Sequence, residues 1–433
     1  MTHRVDPPDR PERAVLVAVG GPVASTNGDA WSAEELLEEL RALAISAGAE
    51  VVGEVVQSRD RADAALYIGR GKADELRREV AARDAQLVVF DNDLSPAQGK
   101  KLEDLIGVRV LDRSELILDI FARRARTREA KLQVELAQLQ YLLPRLRRMW
   151  THLSRIRGGI GLRGPGETQL EVDRRVIRDR IRTLKEKLEG IETRRSLQRK
   201  GRGEVWNVAL VGYTNVGKST IMNRLTGERL RAVDSLFATL DATTRRMELP
   251  GGEAVVLTDT VGFIRDLPHD LVASFRATLE EVVHADLLLH VVDVSDPRRE
   301  SRMAVVRDVL RSLDVGDAPT LTVFNKFDQI PAAERAGIRA RLLEAHEPAV
   351  VASAVEPRGL VALEEALARY VETHEVRVRA VVPSGDGRRL ALIHRLTEVL
   401  ERRYADGLVE LELRARPEAL ARLEREGIAV EPR

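Results

Sequence analysis

Two hydrophobic rhythms alternate along the chain. Over residues 14–120, short apolar runs ("AVLVAVG", "AEVVGEVV", "AALYIG", "AQLVVF", "VRVLD") are interleaved with helical patterns such as Ser32 to Ser46 and Lys72 to Ala82. This alternation predicts a small α/β domain with a largely parallel sheet over 1–120. The same pattern returns over 204–371. There "VWNVALVG", "ATTRRMEL", "EAVVLTD", "DLLLHVVDV", "TLTVFN" and "AVVAS" read as strands, and Lys218 to Leu225 and Glu300 to Leu313 as helices, a doubly wound arrangement. Over 372–433, "VRVRAVVP", a helix near Leu390 to Arg402, "LVELELRA" and a helix near Pro417 to Glu426 predict a small α+β appendix.

Between the two α/β regions, over 121–203, the rhythm becomes a heptad. Leu132, Leu136, Leu139, Leu143, Leu146, Trp150 and Leu153 recur at spacings of four and three, and Leu170, Ile177, Ile181, Leu184, Leu188 and Ile191 fit the same seam. Two long amphipathic helices are expected to pack as an antiparallel hairpin. Pro144 should kink the first, and Thr168 and Glu171 can form a capping box on the second. Residues 155–167, "RIRGGIGLRGPGE", hold five glycines and a proline; they can continue neither helix and are expected to form the tip loop.

Charge changes the picture locally. The chain's 69 Lys/Arg and 69 Asp/Glu cancel, yet Phe121 to Arg202 holds 23 of the former against 9 of the latter. No acidic residue lies between Glu135 and Glu167, whereas Arg145, Arg147, Arg148, Arg155, Arg157 and Arg163 all do. The guanidinium fork suits phosphate and stacks on bases, so these six are the candidate RNA contacts; the alternative is a solvated basic face. At 433 residues the chain needs several cores. Its longest apolar runs are too short to span a membrane. With no cysteine it has no thiolate chemistry, and no histidine has metal-ligand spacing that would call for a transition metal.

The chemistry sits in five motifs. "GYTNVGKST" follows a strand and opens a helix, as a phosphate-binding loop requires. Gly212 and Gly217 permit the turn, Lys218 brings a charge to the β/γ oxygens, and Ser219 brings a hydroxyl to Mg²⁺. In "DTVGF", Asp259 can hold the Mg²⁺ shell through water and Gly262 can offer its N–H to the γ-phosphate. "NKFD" supplies Asp328, whose carboxylate accepts from guanine N1–H and N2 and is repelled by adenine. "SAV", Ser353 to Val355, offers a backbone contact to the guanine O6. "DSLFATLDATTR", 234–245, occupies the place of a mobile first switch, with Thr239 as the Mg²⁺-ligating threonine of the triphosphate state.

The order of "GYTNVGKS", "FATLD", "DTVGF" and "NKFD", with "GGIGLRGPGETQLE" upstream, resembles the HflX-type ribosome-associated GTPases of the Obg–HflX-like translation-factor class. The resemblance implies a Ras-like P-loop G domain preceded by a small parallel α/β domain and a long antiparallel helical hairpin, and followed by a small α+β appendix. It implies a GTP site of Gly212, Tyr213, Thr214, Asn215, Val216, Gly217, Lys218 and Ser219, then Phe237, Ala238, Thr239, Leu240 and Asp241. Asp259, Thr260, Val261 and Gly262, Asn325, Lys326, Phe327 and Asp328, and Ser353, Ala354 and Val355 complete it, with Ser219 and Thr239 on Mg²⁺. Expected partners are GTP and GDP and the large ribosomal subunit with its rRNA, for a cytoplasmic monomer without a membrane span that splits stalled or stress-arrested ribosomes; peripheral membrane association stays open. The hairpin tip is expected to approach the peptidyl-transferase region.

Three readings stay open. Phe263 stands where Ras-type enzymes carry the glutamine that orients the attacking water. The catalytic group is therefore unassigned, Lys218 and Thr239 stabilise the transition state, and slow basal turnover with stimulation by the ribosome is expected. Asn215, fourth in the phosphate loop, is a position at which some GTPases hold K⁺. "YIGRGKADEL", with Gly69, Gly71 and Lys72, is either a structural strand-to-helix turn or a second, ATP-binding site. The rival functions are a regulatory switch with protein partners and an ATP-dependent RNA-remodelling enzyme.

Overall fold

The computed structural model describes residues 11–20, 31–59, 61–149, 169–199, 205–227, 236–267 and 276–432. It forms two units: Met1–Gly190 with Ala232–Asp241 and Val261–Leu279, and Ile191–Arg231 with Ala242–Thr260 and Glu280–Arg433. The tip loop 155–167, the cap residue Thr168 and the seam residues Trp150 and Leu153 lie outside the described residues.

In the first unit, β1 (Arg13–Gly20), β2 (Glu50–Ser58), β3 (Leu87–Phe90) and β4 (Arg109–Leu111) form a parallel sheet in the order β2-β1-β3-β4. Val15, Leu16, Val17, Ala18 and Val19 are all fully buried. A central parallel strand is covered on both faces, so its sequence is a continuous apolar run and does not alternate. One face packs Leu76 and Val80 of α2 (Arg70–Ala82) and Leu102 and Ile106 of α3 (Pro96–Ile106). Helix α1 (Ala33–Ser46) also packs on β1, and its N-terminus is fixed by a reciprocal Ser32–Glu35 capping box. "AALYIG" is not a strand: Asp63 Oδ1 accepts from the Ala65 and Leu66 amides, which closes a turn with only an isolated bridge to Tyr67. This short polar acceptor outcompetes the apolar run.

Helix α4 (Arg113–Arg124) begins inside a buried charge cluster. Arg113 Nη1 lies 2.6 Å from Asp91, its Nη2 bonds Glu39, and Arg265 Nη2 lies 2.6 Å from the other Asp91 oxygen. Arg113 Nε and Nη2 also donate to the Arg265 carbonyl at 3.3 and 3.1 Å. None of these four side chains is more than 6% exposed. The residue two past Phe263 is thus fastened to the middle of α1, the end of β3 and the start of α4.

Helices α5 (Arg128–Met149) and α6 (Gln169–Arg199) follow. Helix α5 continues through Pro144. Arg180 makes two bonds to Glu135, at 2.7 and 2.9 Å, and Leu184, Leu136 and Leu146 of the predicted seam are buried. Among the described residues, no helix is long and apolar enough to cross a membrane.

The second unit contains a six-stranded sheet ordered β10-β9-β8-β5-β7-β6. Its strands are β5 (Trp206–Gly212), β6 (Thr243–Glu248), β7 (Ala254–Asp259), β8 (Leu287–Asp293), β9 (Thr320–Asn325) and β10 (Ala349–Val351). Only β6 runs antiparallel. The appendix is a βαββαβ unit: β11 (Val376–Pro383), a helix over Gly387–Leu396, β12 (Glu398–Ala405), β13 (Leu408–Ala415), a helix over Pro417–Arg425 and β14 (Val430–Pro432), with sheet order β12-β13-β11-β14. The helix expected to reach Arg402 ends at Leu396, because 398–405 pairs with β13 across a turn in which Asp406 and Gly407 have φ of 49° and 77°. Asp-Gly is the hairpin signal that overrides the helical run.

Removing one partner of a buried ion cluster leaves the others uncompensated. Arg113→Ala is therefore expected to lower unfolding free energy by about 3–5 kcal/mol in urea denaturation. His290, buried in β8, has its pKa pulled down to about 4 by burial, with the Arg307 and Lys218 charges adding. Unfolded, it protonates near 6.5. Stability is thus retained above that pH and lost as pH falls toward 4, by roughly 3 kcal/mol. His290→Leu should flatten that slope in denaturation curves taken across the interval.

Candidate nucleotide-binding site

Strands β5, β7 and β9 end on Gly212, Asp259 and Asn325, and Ser353 follows β10. The carboxyl edge of a parallel sheet is where doubly wound folds bind ligands, so four distant stretches of sequence are delivered to one edge. The first loop wraps tightly. Gly212 (φ 151°) and Gly217 (φ 98°) each stand where a Cβ would come within 2.3 Å of a neighbour, the Val291 carbonyl and the Asn325 amide respectively.

Lys218 opens α7 (Lys218–Thr226) and is buried. Its Nζ donates to the carbonyls of Gly212 (3.1 Å) and Tyr213 (2.9 Å), which leaves the third of its three donors for a ligand. Burial pulls its pKa down to about 8, opposed by the Asp259 charge. The Thr214 hydroxyl is buried with no hydrogen-bond partner. An orphaned hydroxyl inside a glycine loop fits an anion that completes it. Tyr213 has a packing role, with Arg302 over its ring at 4.8 Å. Asn215 is exposed, with φ of 61°.

Ser219 Oγ donates to Asp259 Oδ2 at 2.5 Å. This hydroxyl–carboxylate pair, made only of hard oxygens, fits Mg²⁺ held through nucleotide and water. Thr260 is fully buried and bonds the Leu210 carbonyl at 2.7 Å, a structural contact.

The base-recognition residues are bound to one another. Asn325 Nδ2 donates to the Val216 carbonyl (2.8 Å) and its Oδ1 accepts from the Ala354 amide (3.1 Å). The Ala354 N–H is therefore engaged within the protein. Ser353 Oγ donates to Asp328 Oδ1 at 2.6 Å, aligning the carboxylate. Lys326, with φ of 62°, pairs with Asp293 at 2.7 Å. Phe327 lies beside the Arg335 guanidinium, and Val355 is 66% exposed. The Ser353–Asp328 bond was not expected from the motifs; a serine or threonine facing a base-reading aspartate is the signal for it.

The other expected residues belong to the first unit. Phe237 has φ of 55° and meets Phe121 edge-on at 4.6 Å, and the Leu236 amide donates to Ser46. Ala238 is exposed, Thr239 half-buried and Leu240 buried. Asp241 turns both carboxylate oxygens onto Arg126 and Thr127. Val261, Phe263 and Ile264 are buried.

Of the RNA candidates, Arg145 has another role: its Nη2 lies 2.7 Å from buried Asp112 and 3.0 Å from the Leu94 carbonyl, and it stacks on Tyr141. It anchors α5 and is not held out for phosphate. The Arg147 and Arg148 side chains and Arg155, Arg157 and Arg163 lie outside the described residues. Lys72 pairs with Glu75 of its own helix at 2.8 Å, and the Gly69 amide donates to Gln57, the contacts of a structural turn.

A strand-to-helix glycine loop with a buried lysine, a serine–aspartate oxygen pair and an Asn-Lys-x-Asp base reader define a P-loop GTPase. Family models match over 34–122 ("GTP-binding GTPase N-terminal"), 124–202 ("GTP-binding GTPase Middle Region") and 207–326 ("50S ribosome-binding GTPase"). The GTPase HflX of Magnetococcus marinus is 46% identical over 428 residues, 97% of each chain. That of Caldanaerobacter subterraneus subsp. tengcongensis is 53% identical over 319 residues, 73% of each, and that of Escherichia coli 46% over 389 residues, 88% of this chain and 89% of its own. The chain belongs to the HflX family of GTPases, and it hydrolyses GTP.

Two outcomes follow from these contacts. Asp328→Ala should weaken GTP binding about 10- to 100-fold and erase discrimination against ATP in competition titrations. Above pH 8 the Lys218 amine of the free chain loses its proton and must regain it to meet phosphate. GTP affinity should therefore fall as pH rises past 8, with proton uptake visible by calorimetry in buffers of different ionisation enthalpy.

Proposed function

We propose that this GTPase acts in the cytoplasm on the large ribosomal subunit, docks its basic hairpin on rRNA, and dissociates or remodels stalled ribosomes. The observation that carries the reading is the conjunction, in one chain, of a G domain matching the "50S ribosome-binding GTPase" model with a hairpin that has no acid between Glu135 and Glu167.

On this reading Lys218 and the loop amides hold the β/γ-phosphates. Ser219, with Asp259 behind it and Thr239 from the switch, would hold Mg²⁺, which supplies charge neutralisation at the phosphoryl oxygens when bound. Asp328 selects guanine. Phe263 can neither donate to nor accept from a water, so the isolated chain turns over slowly and the ribosome completes the site. Asn215 is exposed in the loop and is the position at which K⁺ would act; matched KCl and NaCl assays test this.

Purified chain should cosediment with large subunits in the presence of a non-hydrolysable GTP analogue and much less with GDP. Binding should weaken steeply with salt, because each phosphate contact releases counterions. Equal binding with both nucleotides, or binding that survives RNase digestion of the subunit, overturns the reading.

A further inference from the structure

Helix α5, the first arm of the hairpin, starts on a local cap that is itself held by a distant carboxylate. Thr127 is its N-cap: the Lys131 amide donates to the Thr127 carbonyl at 3.1 Å and the Ala130 amide to its hydroxyl at 3.1 Å. The same hydroxyl donates onward to Asp241 Oδ1, while Asp241 Oδ2 accepts from the Arg126 (3.1 Å) and Thr127 (3.2 Å) amides. A carboxylate from more than one hundred positions away therefore sits at the positive end of the helix dipole and takes the amides of the N-cap and of the residue before it. Asp241 closes the segment 236–241, which contains Thr239 and is itself held by the Phe237–Phe121 contact and the Leu236 amide on Ser46.

The two ends of α5 differ in kind. Toward its C-terminal end, Arg145 is tied to Asp112, which is 3% exposed and also takes the Tyr141 hydroxyl at 2.8 Å. At its N-terminal end Arg126 and Thr127 are exposed. Water competes for bonds there, so they can be broken and remade at far lower cost than the buried pair. One end is an anchor and the other is a releasable joint.

We propose that Asp241 and Thr127 form the joint through which the first switch sets the hairpin's first helix. Thr127 is then a positioning residue for the GTPase: it holds Asp241, and through it the strand of chain bearing Thr239, while Asp241 is a helix cap and not a nucleotide ligand. The inference rests on reading 236–241 as the nucleotide-responsive switch. When that segment moves, it either carries the start of α5 with it or gives up three hydrogen bonds, and in both cases the amides at 126–131 register the nucleotide.

Hydrogen exchange at 126–131, measured on the full chain with GDP and with a non-hydrolysable GTP analogue, tests this. Wild-type rates should differ between nucleotides by about threefold or more. Thr127→Ser, which keeps the hydroxyl, should preserve the difference. Thr127→Val should lose it while its KM for GTP stays within about twofold of wild type, and Asp241→Ala should lose it too if Thr127→Val does not fold. Equal exchange with both bound nucleotides overturns the joint alone, as does a difference that persists in Thr127→Val. Failure of the wild-type chain to bind GTP overturns the nucleotide reading and the joint together.

Discussion

The Asn325 carboxamide holds the nucleotide site together. Its donor bonds the Val216 carbonyl in the phosphate loop and its acceptor takes the Ala354 amide after β10. Three loops that leave strands β5, β9 and β10 are thus fixed by one planar group. β5 and β9 are not neighbours, since β8 lies between them, so the sheet ladder cannot set this spacing and a side chain must. The fit is mutual: Gly217 has no room for a Cβ because the Asn325 amide would lie 2.3 Å from it. A site built this way reaches its ligand already organised, which lowers the ordering cost of binding.

The second nucleotide motif is divided. Asp259 and Thr260 belong to the unit of the G-domain sheet, while Val261–Leu279 belongs to the unit of the N-terminal sheet. The boundary between the two units therefore runs through "DTVGF". Buried and exposed contacts divide the work in the first unit. The Arg113, Asp91, Glu39 and Arg265 cluster is nearly free of solvent and breaks only at large cost, so it fixes the segment after Phe263. The Asp241 cap is exposed and can exchange with water. A GTPase needs both kinds of contact, one to hold and one to yield.

Where sequence reading and structure part, a local polar group or a distant partner decides. "AALYIG" has strand composition, but Asp63 takes two amides into a turn. The helical run from Leu390 stops at Leu396 because β13 offers a strand partner and Asp-Gly supplies the hairpin. Arg145 looks like the other arginines of an acid-free stretch, yet Asp112, thirty-three positions earlier, claims it. Nothing in local composition announces such a pairing.

The sequence by itself determined the largely parallel α/β character of the N-terminal and G-domain sheets, the two long helices, and the placing of the phosphate-loop and Asn-Lys-x-Asp motifs at strand ends. These depend on short-range periodicity and on residue types at fixed spacing, which the chain carries locally. Tertiary structure alone decided that Ser353 aligns Asp328, that Asp241 caps a helix, and that Arg265 is bound to Arg113 and Asp91. Each joins residues far apart in the chain, and only burial and geometry select one carboxylate among 69 acidic residues for a given donor.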